Sequence, residues 1–390
     1  MTNYKVPGVY VEEMKSVSLS VTSGETAIPV FAAKSEDFKY FKKDADGGDS
    51  YFEVESWLAV VHRANTLADG AFPTAMTGSA AARTVFASLL YRSLQAYFAN
   101  GGGRAYVCEA SKLEAVVPCL PDVTLLVQSG VGDELKGGQL TSVLKESVGL
   151  FVILDAGNGA IDMAPITREK INSELTMLGL TPVKNESAAF YYPWFKYGPD
   201  SSALVPPSAV MAGIYAKVDG ERGVWKAPAN IAVEGLSLAR DVSDLDQAQL
   251  NTHTTPVNVI RRFGNGAPTV WGARVADSTS ELKYVPVRRL FNALQRDIKR
   301  AMKLAVFEPN TSATWEKVRS SIDNYLHEIW RQGGLMGVKP EDAYRISIGR
   351  GITMSDDDIK QGKMIAEVAV APARPAEFII LRFSEKLQKS

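Results

Sequence analysis

The stretch that decides the fold is Phe151-Val152-Ile153-Leu154-Asp155, a continuous apolar run that ends in a carboxylate. Comparable apolar runs occupy residues 27–31, 105–108, 123–127 and 189–194. Helix-length stretches separate several of these runs, near 81–99, 138–147 and 165–178. Uninterrupted apolar strands alternating with helices are typical of a parallel sheet that helices cover on both faces. We therefore predict an α/β unit with a mixed, largely parallel sheet over about residues 25–250.

Two amphipathic helices follow this unit. The first begins near residue 284 and carries Val287, Leu290 and Leu294 at three- and four-residue steps. The second ends at Gly333-Gly334, which is where a helix C-terminus commonly places glycine. Strand-like runs come next, at 343–348, 364–371 and 376–383. The chain as a whole is predicted to be α/β, or α+β when the C-terminal part is included.

Composition excludes several classes of protein. The 390 residues contain 43 Lys plus Arg and 44 Asp plus Glu, so no basic excess favours nucleic acid or an anionic membrane. Two cysteines and three histidines are too few for a disulfide framework or a histidine-rich metal site. No run of about 18 apolar residues occurs, so we expect no membrane insertion. The N-terminal residues have no basic and apolar regions in succession, and we expect synthesis in the cytoplasm without a signal peptide.

No motif nominates a catalytic centre. Gly101-Gly102-Gly103 follows a helix and precedes a strand, the reverse of a phosphate-binding loop, so a helix C-cap is the preferred interpretation. Asp356-Asp357-Asp358 lacks the alternate spacing of a calcium loop. We expect no catalytic residue, no metal and no cofactor. The alternative is an enzyme with a small-molecule site in the crevice at the carboxyl ends of the parallel strands.

The clearest charge pattern is a basic stripe on the first long helix. Its members are Arg289, Arg296, Arg300 and Lys303. The helical spacing predicts that these side chains lie opposite the apolar face. Two interpretations remain: the solvated side of an amphipathic helix, or a contact with an acidic surface of another subunit.

The N-terminal segment has the pattern of extended chain. Val17, Leu19 and Val21 alternate with serines and threonine, which is typical of a strand. Because an exposed strand edge promotes unwanted pairing, such a segment must be covered. It is either the first strand of the protein's own sheet or an arm that pairs with another subunit.

Four motifs resemble signatures of the contractile tail sheath proteins, in the order found in that family. They are Pro7-Gly8-Val9-Tyr10-Val11-Glu12-Glu13, Ala96-Tyr97-Phe98-Ala99-Asn100-Gly101-Gly102, Val270-Trp271-Gly272-Ala273-Arg274 and Arg374-Pro375-Ala376-Glu377-Phe378-Ile379. Each motif is short, but together they extend over nearly the whole chain. Stretches at 191–194, 206–213 and 222–228 are most similar to sheath proteins of extracellular contractile injection systems of the antifeeding-prophage and Photorhabdus virulence cassette type.

The resemblance implies four segments, two of which are arms. They are an N-terminal arm at 1–24, an outer α/β domain at 25–250, an inner sheath core of two long helices and a small sheet at 251–371, and a C-terminal arm at 372–390. In the family, the arms add strands to sheets of neighbouring subunits. The matching arm residues are Tyr4, Val6, Val9, Tyr10 and Val11 at the N-terminus and Ala376, Phe378, Ile380 and Arg382 at the C-terminus.

The function implied is that of a structural subunit, not an enzyme. Subunits would stack as six-membered rings around an inner tube and contract by rotation to drive the tube through a target envelope. Expected partners are further copies of the chain, the tube protein, baseplate and cap proteins, and sheath paralogues, in a particle released from the cell. The segment that matches the family's tube-attachment helix supplies Ser355, Asp356, Asp357, Asp358, Lys360 and Lys363, and we expect a weak polar contact there. A sheath variant next to the baseplate or cap remains an alternative.

Overall fold

A computed structural model describes residues 20–41, 50–67, 87–135, 138–147, 149–157, 169, 173, 185–197 and 201–377. The N-terminal arm residues Tyr4, Val6, Val9, Tyr10 and Val11 lie outside these ranges, as do Phe378, Ile380 and Arg382 of the C-terminal arm. Most of the helix predicted near 165–178 also lies outside them.

Thirteen strands and eleven α-helices occur in the described residues. The strands are β1 (Pro29–Ala33), β2 (Tyr51–Val54), β3 (Ala105–Glu109), β4 (Leu125–Val127), β5 (Phe151–Asp155), β6 (Ala188–Tyr192), β7 (Phe195–Lys196), β8 (Leu204–Val205), β9 (Ser237–Leu238), β10 (Val257–Arg262), β11 (Pro268–Val270), β12 (Tyr344–Ile348) and β13 (Ala366–Val370). The helices are α1 (Ser35–Phe41), α2 (Trp57–Leu67), α3 (Leu89–Ala99), α4 (Leu113–Val116), α5 (Gln139–Glu146), α6 (Pro207–Arg222), α7 (Asp244–Asn251), α8 (Val285–Met302), α9 (Ser312–Arg331), α10 (Pro340–Ala343) and α11 (Asp356–Lys360).

Eight strands form one mixed sheet in the order β11-β10-β6-β5-β4-β1-β3-β2. The six strands from β10 to β3 run parallel, and the two edge strands β11 and β2 are antiparallel to their neighbours. The predicted largely parallel sheet is therefore confirmed. The predicted domain boundary at residue 250 needs correction, because β10 and β11 follow it and belong to the same sheet. A loop-rich stretch with α6 and α7 separates β6 from β10, which hid this continuity in the sequence.

Both faces of the sheet are buried, as the uninterrupted apolar runs require. On β5, Phe151 and Ile153 join the core that includes α3 and α6, whereas Val152 and Leu154 join the core on the α4 and α5 side. Helix α6 packs so closely on α3 that a Cβ at Gly213 would lie 2.4 Å from the Tyr97 carbonyl oxygen. The central strands are thereby shielded from solvent on both sides.

The C-terminal part has its own core. Leu290 and Leu294 of α8 pack with Ile322 and Leu326 of α9. Tyr344 and other residues of the antiparallel β12–β13 hairpin cover the far side of this pair. These are the two long helices and small sheet that the sequence predicts.

The polar stretch at residues 34–80, for which the sequence pattern predicts no helix or strand, includes α1, β2 and α2. Strand β2 buries Phe52 and Val54 while Glu53 is exposed, an alternation too short to be recognised in isolation.

Among the described helices, none is both long enough and apolar enough to cross a membrane.

Candidate assembly surfaces

The segment predicted for tube attachment forms the short helix α11, which begins with a capping box. The Ser355 hydroxyl accepts a hydrogen bond from the Asp358 amide at 3.2 Å, and the Asp358 carboxylate accepts one from the Ser355 amide at 3.1 Å. The hydrogen bond from the Ser355 hydroxyl also holds the pKa of Asp358 below its ordinary value. The first turn is therefore fixed by its own side chains.

The acidic run of this helix is balanced within the chain. Asp356 pairs with Arg350, and Asp358 lies 3.4 Å from the Lys363 ammonium. Asp357 and Lys360 make only a loose pair at 3.8 Å, and their side chains are 83% and 78% exposed. Of the three aspartates, Asp357 is thus the one that points most freely to solvent.

Exposed apolar side chains flank α11, and sequence reasoning missed them. Phe307 is fully exposed with a positive φ of 71°, and Val306 beside it is also exposed. Their loop reaches α11 through Asn310, whose amide donates to the Lys363 carbonyl at 2.8 Å. Ile352 is also exposed, in the loop that precedes α11. The surface around α11 is consequently mixed apolar and charged.

The basic stripe is not one solvated face, and that prediction is wrong for two of its four members. Arg289 is 3% exposed and donates to both carboxylate oxygens of Asp219 at 2.6 and 2.9 Å. Arg296 is also buried and pairs with Asp297. Helix α8 is covered on two sides, by α9 and by the α/β unit, which the single apolar stripe did not indicate. An inter-subunit role stays a prediction for Arg300 and Lys303, which are exposed.

Buried polar groups instead join the two halves of the protein. The Asp297 carboxylate accepts from the Gly24 amide at 3.1 Å and from the Tyr325 hydroxyl at 2.8 Å. Burial raises the pKa of Tyr325, with the adjacent Asp297 carboxylate as a second cause. Asp297 stands at a buried helical position, and a carboxylate at such a position needs partners. That placement was the available sequence signal for this network.

The sheet crevice, where the enzyme alternative would place its site, is occupied by structural hydrogen bonds in the described residues. Asp155 is 4% exposed and accepts from the Gly130 amide at 2.8 Å, the Ser208 amide at 2.7 Å and the Ser208 hydroxyl at 2.9 Å. The Ser208 amide lies in the first turn of α6, so the carboxylate satisfies a helix N-terminus. Burial raises the pKa of Asp155 to about 6.

A groove of about 380 Å³ opens at the other end of the strands, between residues 24–28, 101–104 and 216–220. Arg104 in its lining lies 3.2, 3.1 and 2.6 Å from Glu25, Glu53 and Asp122. This arginine is already saturated by carboxylates. Among the described residues, no cluster of three or more His, Cys, Asp or Glu side chains has the arrangement of a metal site.

The start of the predicted C-terminal arm is held by an ion pair. Arg274 donates to Glu377 Oε2 through Nη2 at 2.6 Å and Nε at 3.1 Å, and the Tyr284 hydroxyl lies 3.3 Å from the same oxygen. Ala376 is exposed. Nearby in the fold, β13 pairs only with β12 among the described strands. The hairpin therefore offers a strand edge that the described part of the chain leaves open.

Comparison with known proteins gives concordant matches. Residues 277–385 match the phage tail sheath C-terminal domain. The chain is 41% identical to the sheath chain of the extracellular contractile injection system PVC in its contracted state, over 100% of this chain and 99% of that one, with a TM-score of 0.80. Chains of the anti-feeding prophage are 35% identical over 98% of this chain and 100% of theirs, with TM-scores of 0.73 in the contracted helical sheath and 0.71 in the baseplate.

A more distant relative is the tail sheath protein of Enterobacteria phage T4. It is 27% identical over 195 residues, which is 49% of this chain but 28% of the phage protein. The chain thus spans under a third of the length of this curated relative.

Proposed function

The chain belongs to the contractile tail sheath family, and from this premise we propose that it polymerises as stacked six-membered rings around an inner tube and contracts by subunit rotation. The observation that carries the proposal is the similarity over the full chain to subunits of contracted sheaths. A ring-stacked helix follows from a head-to-tail contact between identical subunits that does not close on itself. The same similarity supports self-association and association with a baseplate.

Strand addition is the proposed means of linking subunits. The open edge of a sheet presents unpaired backbone groups to which another strand can pair. The β12–β13 hairpin is therefore a suitable acceptor for an arm of a neighbouring copy. Each backbone hydrogen bond so formed contributes about 1 kcal/mol, and several bonds per arm would keep the lattice connected while subunits rotate.

On this proposal, contraction requires no bound nucleotide and no nucleotide hydrolysis. The extended sheath would be metastable, and release would let rigid subunits move into a second, better-buried packing. The sequence offers no phosphate-binding loop that would favour nucleotide hydrolysis.

A non-enzymatic role is part of the proposal. In the described residues, the polar groups at the carboxyl ends of the strands bond to each other and to the start of α6 rather than facing an open cleft. The particle is proposed to act outside the producing cell, as the extracellular system containing the most similar sheath chain described above does.

The proposal is tested by producing the chain with its candidate tube protein and examining the product by negative-stain electron microscopy. We expect cylinders, either long and narrow or short and wide. A monodisperse monomer under the same conditions would overturn the proposal and favour the enzyme alternative.

Tube attachment is tested in the same preparation with Asp357→Lys. Because Asp357 is the outward-facing acid of α11, its reversal should reduce the yield of extended cylinders around the tube without unfolding the chain. The matched control is Glu341→Lys, an exposed acid on α10. Normal yields from both variants would contradict attachment through α11.

A further inference from the structure

The two arm roots, defined here as residues 23–26 and 374–377, are both fixed to α8 or its N-cap. On the N-terminal side, the Gly24 amide donates to Asp297 at 3.1 Å and the Thr26 carbonyl accepts from Arg289 at 3.0 Å. On the C-terminal side, the Glu377 carboxylate contacts Arg274 and the hydroxyl of Tyr284, the N-cap residue of α8. Both arm roots are therefore bonded to α8 or to its N-cap residue.

Helix α8 is well suited to keep these points at a fixed separation. Tyr284 and Asp297 are thirteen positions apart, which at about 1.5 Å per residue places them about 20 Å apart along the axis. The Arg289–Asp219 pair and the bond from the Asn292 amide to the Leu150 carbonyl at 3.3 Å tie α8 to the α/β unit. Its opposite side packs on α9. Helix α8 is therefore packed between the α/β unit and α9, which fixes the separation of its two root contacts.

We propose that α8 is a rigid spacer that carries force from one arm root to the other when neighbouring subunits move. The proposal rests on the proposed linkage of subunits through their arms. Arg274, Tyr284 and Asp297 are then positioning residues: they hold the roots and touch no partner themselves. The spacing of the two roots on α8 sets the distance between the neighbours that each subunit joins.

The C-terminal root is the better one to mutate, because its contacts can be removed with less risk of unfolding the chain than those of the N-terminal root. The Arg274 and Glu377 side chains are 18% and 23% exposed, so the pair can be altered without leaving a fully buried charge. Asp297 is 2% exposed, and its loss would threaten the fold. A matched control exists on the same helix: Arg288 and Glu186 pair at 2.7 Å with exposures of 17% and 38%, and Glu186 also accepts from Ser280, so these bonds go to residues outside the arm roots.

The experiment compares Glu377→Lys and Glu186→Lys in cylinders formed with the tube protein and contracted with mild urea. Fragmentation is counted by electron microscopy, and chain stability is followed by thermal unfolding. We expect Glu377→Lys to raise the fraction of broken sheaths about five-fold, the factor that corresponds to about 1 kcal/mol for one partly exposed pair. Glu186→Lys should lower the unfolding temperature as much or more, yet leave fragmentation at the wild-type level.

A charge exchange tests the pairing itself. The Glu377→Lys sheath is expected either to break on contraction or to fail to assemble. In both cases the double variant Arg274→Glu with Glu377→Lys should restore at least part of the intact, contracted sheath. Equal fragmentation of wild type and Glu377→Lys, or a defect that the exchange leaves untouched, would overturn the spacer. Absence of cylinders from the wild-type chain would instead contradict the proposed function.

Discussion

At the scale of single residues, Asp155 has the most informative environment in the α/β unit. Its carboxylate ends β5 and accepts three hydrogen bonds, from the backbone and hydroxyl of Ser208 and from the Gly130 amide. Burial outweighs these bonds and raises the pKa of Asp155 to about 6. Since the folded chain holds this proton more tightly than the unfolded chain does, ionisation of Asp155 costs stability. The cost develops as the pH rises from about 4 to about 6 and amounts to about 3 kcal/mol.

We therefore expect Asp155→Asn to gain stability relative to wild type as the pH rises through this window. Urea unfolding of the full chain at about pH 4.5 and about pH 7 measures the difference. Asp246→Asn is the control, because the Ser243 hydroxyl holds the pKa of Asp246 below its ordinary value. Its carboxylate is already ionised in folded and unfolded chains above about pH 4, so the deficit of Asp246→Asn should be nearly the same at both pH values. A relative stability of Asp155→Asn that is flat or falling with pH would contradict the assignment.

Residue-level placement was the least predictable from sequence. Arg289 and Arg296 were expected on the outer face of α8, in solvent or against another subunit, because one apolar stripe on α8 suggests one buried face. They share three- and four-residue steps with Val285 and Asn292, which are also buried. That second periodicity is visible in the sequence. An arginine is nevertheless assigned to the exposed face of a helix unless a buried carboxylate partner for it is known. The partner Asp219 lies 70 positions away on α6, and nothing local indicates the pairing.

At the scale of elements, the strands were predictable where both faces are buried. Apolar runs located β1, β3, β4, β5 and β6, because a strand covered on two sides has no polar face to obscure it. Strand β2 was not identified, since a short edge strand carries a mixed pattern. The continuation of the sheet into β10 depends on pairing with β6, a long-range contact that composition does not encode.

The contact between α8 and the turn before β5 gives a prediction at this scale. Gly149 has a φ of +84°, and a Cβ there would lie 2.9 Å from the Asn292 carbonyl oxygen. Gly157 has the same φ of +84° but no atom within 4 Å of the added Cβ. Both Gly→Ala substitutions incur backbone strain of about 1 kcal/mol, and only Gly149→Ala must also displace α8. We expect Gly149→Ala to be about 1–3 kcal/mol less stable than Gly157→Ala in urea unfolding. Equal losses would mean that α8 does not press on this turn.

At the scale of the whole molecule, sequence motifs identified the family before any contact was known, whereas the assembly surfaces followed from geometry. The motif Val270-Trp271-Gly272-Ala273-Arg274 was recognisable as a signature. The role of its last residue, however, became clear only from the structure, in which Arg274 donates a hydrogen bond to Glu377. Likewise, the acidic run at 356–358 suggested a charged attachment surface, whereas two of its three aspartates are engaged within the chain. Charge balance of this kind depends on Arg350 and Lys363 being brought near by turns.

The proposed division between a self-sufficient body and linking arms leads to a prediction for the whole chain. The cores described above draw on residues from 21 to 370, so removal of residues 1–19 or 378–390 should leave them intact. We expect either truncated chain to unfold within about 3 °C of the full chain. Each should nevertheless remain monomeric in size-exclusion chromatography with light scattering, because the strand that would occupy a neighbour's open edge is missing. Cylinders formed by both truncated chains at normal yield would show that body contacts alone build the lattice. A large drop in unfolding temperature would instead indicate that the arms complete the chain's own sheets, the interpretation that the sequence of the N-terminal segment left open.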